Sequence, residues 1–398
     1  MPDKHIYRPV ISQRVNRISI SATKEMPLLA AKVGGCVSLG QGIPSFPTPP
    51  HIVEAVCSAI TDQTDSGKYS LQTGMPRLRQ AISRHLKNEK GIEADPQQEI
   101  LITVGAMEAL LAAVLTLVDR GDEVIVPSPA YASHIEQVYL AEGKPVFVPL
   151  RKDDWGLDID KINKAVTPRT RALILCNPGN PTGAVFSDED VRSICQLAVE
   201  RGFTIISDET YDYLVYDGGM PLSPASLPEY RDYVISISSF SKKYALTGWR
   251  VGWATANAPL MHQIMKVHDC TAICAPTPSQ YAALAGLNGP DDSVEYMRKA
   301  LAARRDLCCR RLDNLNAAFD YVRPRGAFYI MARYLFTDAP SREVAIDILN
   351  EAHVITVPGE SFGPGGDGHL RLSYGSSEDE INESFDRIET WLKKRRYV

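Results

Sequence analysis

Three segments decide how this chain is interpreted: Asp208-Glu209-Thr210-Tyr211, Ser239-Phe240-Ser241-Lys242 and Thr247-Gly248-Trp249-Arg250. They supply a carboxylate, a phenol, an amine and a guanidinium. A carboxylate can pair with a protonated pyridine nitrogen, a lysine can form an imine with an aldehyde, and an arginine can bind a phosphate. Pyridoxal phosphate carries all three of these groups, so the segments predict a site for this cofactor.

The sequence around these segments alternates short apolar runs with stretches of helical periodicity, which is typical of an α/β domain. Seven runs are strand candidates: residues 100–103, 124–126, 145–148, 172–175, 203–206, 234–237 and 251–254. They predict a large domain with a mainly parallel seven-stranded sheet between helices. Ligands of such sheets bind beyond the carboxyl ends of the strands. Asp208 and Ser239 both follow a predicted strand closely, so we expect them at that edge.

The C-terminal third predicts a smaller α+β domain. Helices are expected over residues 293–318 and 377–394, with strands over 328–332, 354–357 and 369–373. A chain of 398 residues is long enough for more than one hydrophobic core. The predicted division is an N-terminal arm packing with the small domain (1–45), a large cofactor-binding domain (46–290) and the small C-terminal domain (291–398).

Charge and composition exclude several classes of function. With 43 basic and 48 acidic residues the net charge is -5, so no electrostatic footprint for nucleic acid or a membrane surface is predicted. No stretch reaches the roughly 18 apolar residues of a membrane span, and Met1 to His5 lack the layout of a signal peptide. The eight cysteines form no Cys-x-x-Cys pair, so we expect reduced thiols, no metal site and a cytoplasmic protein.

The lysine and the aspartate each have an alternative role. Lys242 is favoured over its neighbour Lys243 as the imine-forming lysine only by its spacing to Arg250. Asp208, if it faces the pyridine nitrogen, keeps that nitrogen protonated and makes the ring an electron sink. As a lone aspartate at a strand end, it would cap the following turn. Tyr211 is either a donor to the phenolic oxygen O3′ or an ordinary packing residue.

Four further positions are candidates for contacts with the cofactor or its substrate, three of them after predicted strands and one within a strand. Gly105 begins a turn into a helix, where free N–H groups and the helix dipole favour a phosphate. Tyr131 can stack on the pyridine ring, and Asn180 follows the predicted strand 172–175. Arg371 alternates within an apolar strand, so it needs a carboxylate, either from a substrate or from an internal ion pair.

With these residues identified, the chain resembles a class I/II aminotransferase of the fold type I pyridoxal phosphate superfamily. The resemblance runs from about Gly40 to Tyr374, with the motifs in the family's order. It implies the fold type I transferase architecture and names Lys242, Asp208 and Tyr211 as the catalytic residues. Lys242 would hold the cofactor and then carry the proton between the substrate's α-carbon and C4′.

The resemblance also implies how cofactor and substrate are bound. The phosphate would be held by Ser239, Arg250 and the turn at Gly105, Ala106 and Met107; the ring and O3′ by Asp208, Tyr211, Asn180 and Tyr131; and the substrate by Arg371, Asn180 and the backbone at Gly42. A homodimer with shared sites is implied, in which Tyr69 reaches the neighbouring subunit's phosphate. The arm around Ser21 to Thr23 resembles the segment that closes over the site.

The leading prediction is a ping-pong aminotransferase that moves the amino group of an L-amino acid to a 2-oxo acid such as 2-oxoglutarate or pyruvate. Tyr131 stands where many aspartate-specific relatives carry tryptophan, and Met107 where some carry a basic residue. Aspartate, aromatic and broad-range specificity therefore all stay open. The alternatives are a β-lyase, decarboxylase or oxidase on the same fold, and a non-catalytic regulator. The acidic net charge disfavours the regulator.

Overall fold

The computed structural model describes residues 10–398. Residues 1–9 lie outside the described part of the chain. They include the start of the predicted arm and Met1 to His5, the segment that argued against a signal peptide.

The described elements alternate helices and strands along the chain. The helices are α1 (Gln13–Asn16), α2 (Ala22–Val33), α3 (Pro50–Asp62), α4 (Pro76–Lys90), α5 (Ala106–Leu117), α6 (Ala132–Leu140), α7 (Ile159–Ala165), α8 (Asp188–Arg201), α9 (Phe240–Lys243), α10 (Ala258–Ala272), α11 (Thr277–Asn288), α12 (Asp292–Asn314), α13 (Ser341–Asp347) and α14 (Glu378–Arg395). The strands are β1 (Val37–Ser38), β2 (Ile100–Thr103), β3 (Glu123–Ser128), β4 (Lys144–Pro149), β5 (Thr170–Cys176), β6 (Thr204–Asp208), β7 (Val234–Ser239), β8 (Gly252–Thr255), β9 (Phe319–Tyr321), β10 (Tyr329–Tyr334), β11 (Val354–Ile355), β12 (Val357–Pro358) and β13 (His369–Ser373).

The large sheet has seven strands within residues 10–398, in the order β2-β8-β7-β6-β5-β3-β4. Strands β7, β6, β5, β3 and β4 pair in parallel. Strand β8 is antiparallel to both of its neighbours, β7 and β2. The predicted α/β fold with a mainly parallel seven-stranded sheet is confirmed.

The sheet is buried on both faces, and alternate residues enter opposite cores. In β5, Leu173 and Leu175 pack into the larger hydrophobic cluster while Ile174 packs into the second cluster on the other face. In β6, Ile205 and Ile206 divide in the same way. A strand covered by helices on both faces gains from apolar residues at every position. This is why the runs were recognisable in the sequence as continuous rather than alternating apolar segments.

The small sheet follows the order β12-β13-β10-β9. The predicted long helix ends at Asn314 rather than residue 318, because the chain turns there into β9, which pairs antiparallel with β10. The predicted strand 354–357 is two short strands. Strand β11 pairs with β1 of the arm, and β12 pairs with β13.

The N-terminal arm contains α2, a helix that the sequence analysis did not predict. Its Glu25 accepts hydrogen bonds from Arg342 of α13 at 2.6 and 2.7 Å. Strand β1 adds Val37 in register with Val354. The three-part domain division stays a prediction, with these contacts as its structural context. No helix between residues 10 and 398 has the length and apolar character needed to cross a membrane.

Candidate active site

A cavity of about 700 Å³ lies at the carboxyl ends of β5, β6 and β7. Eleven of the predicted site residues line it: Gly42, Ala106, Met107, Tyr131, Asn180, Asp208, Tyr211, Ser239, Lys242, Arg250 and Arg371. Gly105 stands directly behind the wall, against Arg250. Tyr69 does not line this cavity; its side chain is exposed beside a separate surface recess with Cys274 and Pro276.

Asp208, the last residue of β6, is held by two neighbours. His134 Nε2 lies 2.9 Å from its Oδ2, and the backbone N–H and hydroxyl of Thr210 donate to its Oδ1 at 3.1 and 2.7 Å. Burial alone would raise the pKa of Asp208, but the bonds from His134 and Thr210 outweigh it and hold the pKa below its ordinary value. The carboxylate is therefore ionised at neutral pH.

Lys242 reaches the cavity from α9, a single helical turn after β7. Its Nζ donates to the carbonyl oxygen of Gly42 at 2.5 Å. Burial, with the nearby charges of Arg371 and Arg250, lowers the pKa of Lys242 to about 8. Lys243 faces elsewhere, with its Nζ 5.6 Å from the ring centre of Tyr244. The cavity thus receives Lys242 and not its neighbour.

The start of α5 and Arg250 form a cradle for an anion. Gly105 has φ +80°, and a Cβ at this position would lie 2.7 Å from Arg250 Nη2. Only glycine accommodates both this backbone and this close approach. Arg250 itself has φ +52° and donates to the carbonyl oxygen of Thr247 at 2.8 Å. The first N–H groups of α5 have no partner within the helix, so they and the guanidinium can bind a phosphate together.

A chain of polar contacts links Tyr211 to Arg371. The hydroxyl of Tyr211 lies 2.9 Å from that of Tyr329, and Asn180 Nδ2 donates to Tyr211 at 3.5 Å. Arg371 donates to Asn180 Oδ1 at 3.3 Å and to the carbonyl oxygen of Gly40 at 2.6 Å. Burial raises the pKa of Tyr211 well above its ordinary value, so its hydroxyl stays protonated.

Arg371 is fully buried, 1% exposed, and its Nε has no hydrogen-bond partner. Within residues 10–398 no carboxylate lies within ion-pair distance of it. The predicted alternative of an internal ion pair is therefore wrong for the described chain. A buried guanidinium without a counter-ion is costly, so this side chain is suited to receive a ligand carboxylate.

Several residues in and around the cavity were not predicted. Tyr329 and the arm residues Lys24, Pro27 and Leu28 line it, while His134 and the carbonyl of Gly40 contact the lining residues Asp208 and Arg371. Thr23, from the arm segment that the resemblance placed over the site, lines it as well. His134 follows Tyr131 by three positions and packs edge-on against it at 5.4 Å, but its partner Asp208 is 74 residues away. A local sequence pattern cannot predict a contact between residues so far apart in the chain.

One group of potential metal ligands lies at the cavity floor. His134, Cys176 and Asp208 offer ligand atoms within 4.8 Å of one another. The first and last of these already bond to each other. Burial and the charge of Asp208 raise the pKa of Cys176 well above its ordinary value, so the thiol is protonated. A protonated thiol is a poor metal ligand, and the group is better described as part of the wall around Asp208.

The chain matches the family described as "Aminotransferase class I and II" over residues 35–388. It is 38% identical over 393 residues to an aromatic-amino-acid aminotransferase of Thermococcus litoralis, covering 98% of this chain and 100% of the relative. An aspartate aminotransferase of Pyrococcus abyssi is 38% identical, with 97% and 99% covered. The solved structure of Thermus thermophilus aspartate aminotransferase with maleate superposes with a TM-score of 0.91 at 33% identity, covering 96% and 100%.

These findings confirm the resemblance on which the prediction of an aminotransferase rested. Family and fold agree over almost the whole chain, and the cavity lies beyond the carboxyl ends of the strands, where α/β sheets bind their ligands. The chain belongs to the aminotransferase class I and II family.

Proposed function

We propose that this aminotransferase uses pyridoxal phosphate and works in two half-reactions at one site. An L-amino acid donates its amino group, and a 2-oxo acid such as 2-oxoglutarate then accepts it. One observation carries the proposal. Asp208, Arg371 and the neighbouring pair Lys242 and Arg250 come from three parts of the chain, yet all four line one cavity. Their chemistry matches an aldehyde, a pyridine nitrogen, a phosphate and a substrate carboxylate.

The residues present fit the cofactor group by group. The cradle of Gly105 and Arg250, with Ser239 at the end of β7, suits the phosphate. Ionised Asp208 suits the ring nitrogen, and the protonated hydroxyl of Tyr211 suits O3′. The unpartnered Nε of Arg371 supports a carboxylate ligand in addition.

When bound, pyridoxal phosphate supplies an aldehyde that takes up the amino group and a ring that withdraws electrons from the α-carbon. Arg371 would bind and orient the substrate's α-carboxylate. Lys242 would hold the cofactor through its aldehyde, and its Nζ would serve as the base that takes the proton from the substrate's α-carbon. A pKa of about 8 leaves part of this amine neutral near pH 7, which a base requires. Asp208 would stay ionised throughout and keep the ring nitrogen protonated.

The mouth of the cavity supports a broad side-chain specificity. Leu28, Ile43, Met107 and Leu110 form an apolar wall, and Lys24 of α2 lines the same opening. An apolar wall accepts an aromatic or aliphatic side chain, and a lysine can attract a distal carboxylate. We therefore place aromatic donors against the wall and the distal carboxylate of 2-oxoglutarate near Lys24. The relatives include an aromatic-amino-acid aminotransferase and an aspartate aminotransferase, which agrees with a site that accepts both aromatic side chains and a distal carboxylate.

A homodimer with shared sites is part of the proposal. Tyr69 is 79% exposed and lies outside this chain's own cavity. An exposed tyrosine of this kind can complete the phosphate site of a second copy. The cytoplasm is the proposed compartment, which the eight free thiols support because a reducing environment preserves them.

The decisive experiment compares Lys242→Ala with its matched control, Lys243→Ala. The wild-type protein loaded with pyridoxal phosphate should show a visible absorbance band that single amino acids bleach and 2-oxo acids restore. We expect Lys242→Ala to lose both the band and the turnover, and Lys243→Ala to keep both. The reverse pattern would assign the reaction to Lys243. Release of pyruvate and ammonia without any acceptor would instead indicate a β-lyase.

A further inference from the structure

A buried cation stands behind the turn that carries Asp208 and Tyr211. Lys90 is the last residue of α4, and its side chain is only 3% exposed. Its Nζ lies 2.6 Å from Glu209 Oε2 and 2.5 Å from Asp212 Oδ2. One ammonium group thus joins two carboxylates that are three residues apart.

The turn divides its side chains between two sides. Asp208, Thr210 and Tyr211 line the cavity, whereas Glu209 and Asp212 contact Lys90 instead. The backbone N–H of Asp212 donates to the carbonyl oxygen of Glu209 at 3.1 Å and closes the turn. A shift of Lys90 would therefore move the backbone from which the cavity residues project.

Glu209 is anchored on its other oxygen as well. The hydroxyls of Ser207 and Ser223 donate to Oε1 at 3.0 and 2.7 Å. Every described contact of this carboxylate holds it in place, and none reaches the cavity. A glutamate that is 4% exposed and fully bonded behind a reactive aspartate is suited to support rather than to react.

Lys90 is the cation that compensates the negative charges of Glu209 and Asp212 in this turn. In residues 10–398 no other cation is within ion-pair distance of Glu209 or Asp212. His85 lies nearby, but burial and the charge of Lys243 lower its pKa to about 4, so it is neutral at working pH. Burial opposes the charge of Lys90 too, yet Asp212 and Glu209 outweigh it and keep its pKa above the ordinary value. The ammonium is therefore charged at neutral pH.

The geometry points to Lys90 as a positioning residue that holds Asp208 and Tyr211 in place against the cofactor ring through Glu209 and Asp212. This assignment rests on the proposed function, because it needs a ring in the cavity. Loss of the cation leaves two buried carboxylates uncompensated. Their charge favours protonated groups nearby, and a relaxed turn loosens the bond that Tyr211 would make to O3′.

The test compares Lys90→Met and Lys90→Arg in protein loaded with pyridoxal phosphate. We expect Lys90→Met to raise the midpoint of the pH titration of the visible band by about one unit, because the loss of a nearby positive charge favours the protonated form. Its kcat should fall about tenfold, with KM changed by less than a factor of about three, because misplacement affects the reacting geometry more than binding. Lys90→Arg should restore most of the wild-type midpoint.

The matched control is Arg305→Met. Arg305 is also a buried cation between two carboxylates, Asp217 and Asp306, but it does not line the cavity. It should lower the unfolding temperature and leave the midpoint unchanged. A destabilised Lys90→Met with an unchanged midpoint and kcat would overturn the proposal and leave Lys90 a purely structural residue.

Two further outcomes keep the test decisive. If Lys90→Met does not fold, Asp212→Asn removes one of the two contacts. Because it also removes a negative charge, it should shift the midpoint the other way, downward. An unshifted midpoint in that variant overturns the proposal. A wild-type protein that shows no visible band at all would refute the proposed cofactor, which is a different failure from that of Lys90.

Discussion

The ring end and the mouth of the cavity are built in opposite ways. At the ring end, Asp208 is 8% exposed and Tyr211 is 5% exposed, and both have bonded neighbours. At the mouth, Leu28 is 65% exposed and Ile43 is 53% exposed. Fixed dipoles at a buried site stabilise charge without having to reorganise, whereas an open wall accepts different side chains. Under the proposed function, the buried ring end would set the chemistry and the open mouth would set the choice of substrate.

The largest expected effect is that of Asp208→Ala. Without the carboxylate the ring nitrogen would lose its partner, so kcat should fall by about 10²- to 10³-fold, the range of a lost catalytic electrostatic contact. Single-turnover kinetics with one amino acid would measure it. If Asp208→Ala lowered kcat no more than Lys24→Met at the mouth, the chemistry would not depend on the ring end more than on the mouth.

Arg371→Met should have the second-largest effect, and it should weaken substrate binding. The lost charged hydrogen bonds to the carboxylate are worth about 1.5–3 kcal/mol, so KM should rise roughly 10- to 100-fold for every amino acid tested. A uniform increase across donors distinguishes this residue from the mouth. Tyr329→Phe is a suitable comparison, because it keeps the ring under the guanidinium (4.6 Å from the ring centre) and removes only a hydroxyl.

Lys242→Met should stabilise the cofactor-free protein at neutral pH. The folded pKa of about 8 lies below the ordinary 10.5, so the folded state disfavours the charged amine. The gain in unfolding free energy, about 2 kcal/mol after the lost bond to Gly42 is subtracted, is full below about pH 8. It should decline from there and vanish above about pH 10.5, where the amine is neutral in both states. Urea unfolding at several pH values measures this; a gain that does not change with pH would contradict it.

Lys24→Met should have the smallest effect. An exposed cation contributes about 0.2–1 kcal/mol, so the KM for 2-oxoglutarate should rise only a few-fold, while that for an aromatic donor stays constant. Raising the salt concentration should reproduce the change in wild type. If KM changed equally for 2-oxoglutarate and the aromatic donor, Lys24 would not contribute to substrate specificity.

The sequence was informative where chemistry and periodicity coincide. All seven runs of the large sheet became strands, because each is apolar on both faces and therefore visible without knowledge of its partners. Lys242 was preferred to Lys243 on spacing alone, and it is the one that enters the cavity.

Residues that act through distant partners could not be predicted. His134 and Asp208 are separated by 74 residues, and Lys90 and Glu209 by 119. Helix α2 has a proline inside it, Pro27, which argues against a helix in any local analysis. Tertiary contacts to the small sheet and α13 stabilise that helix instead.

The position of β8 has a consequence for how the protein is made. Strand β2 is at the edge of the sheet and pairs only with β8 in the described chain. Apart from the hydrogen bond from the N–H of Ile102 to Thr73, residues 100–103 therefore have no strand to pair with until residues 252–255 have left the ribosome, about 150 residues later. The turn at Gly105 follows directly after the unpaired strand β2. Arg250 is synthesised just before β8, the strand with which β2 pairs. Such long-range pairing forms slowly and exposes apolar strand surface in the meantime. The anion cradle is thus completed late in synthesis, and a nascent chain that stalls before β8 has an unpaired apolar edge for chaperones to cover.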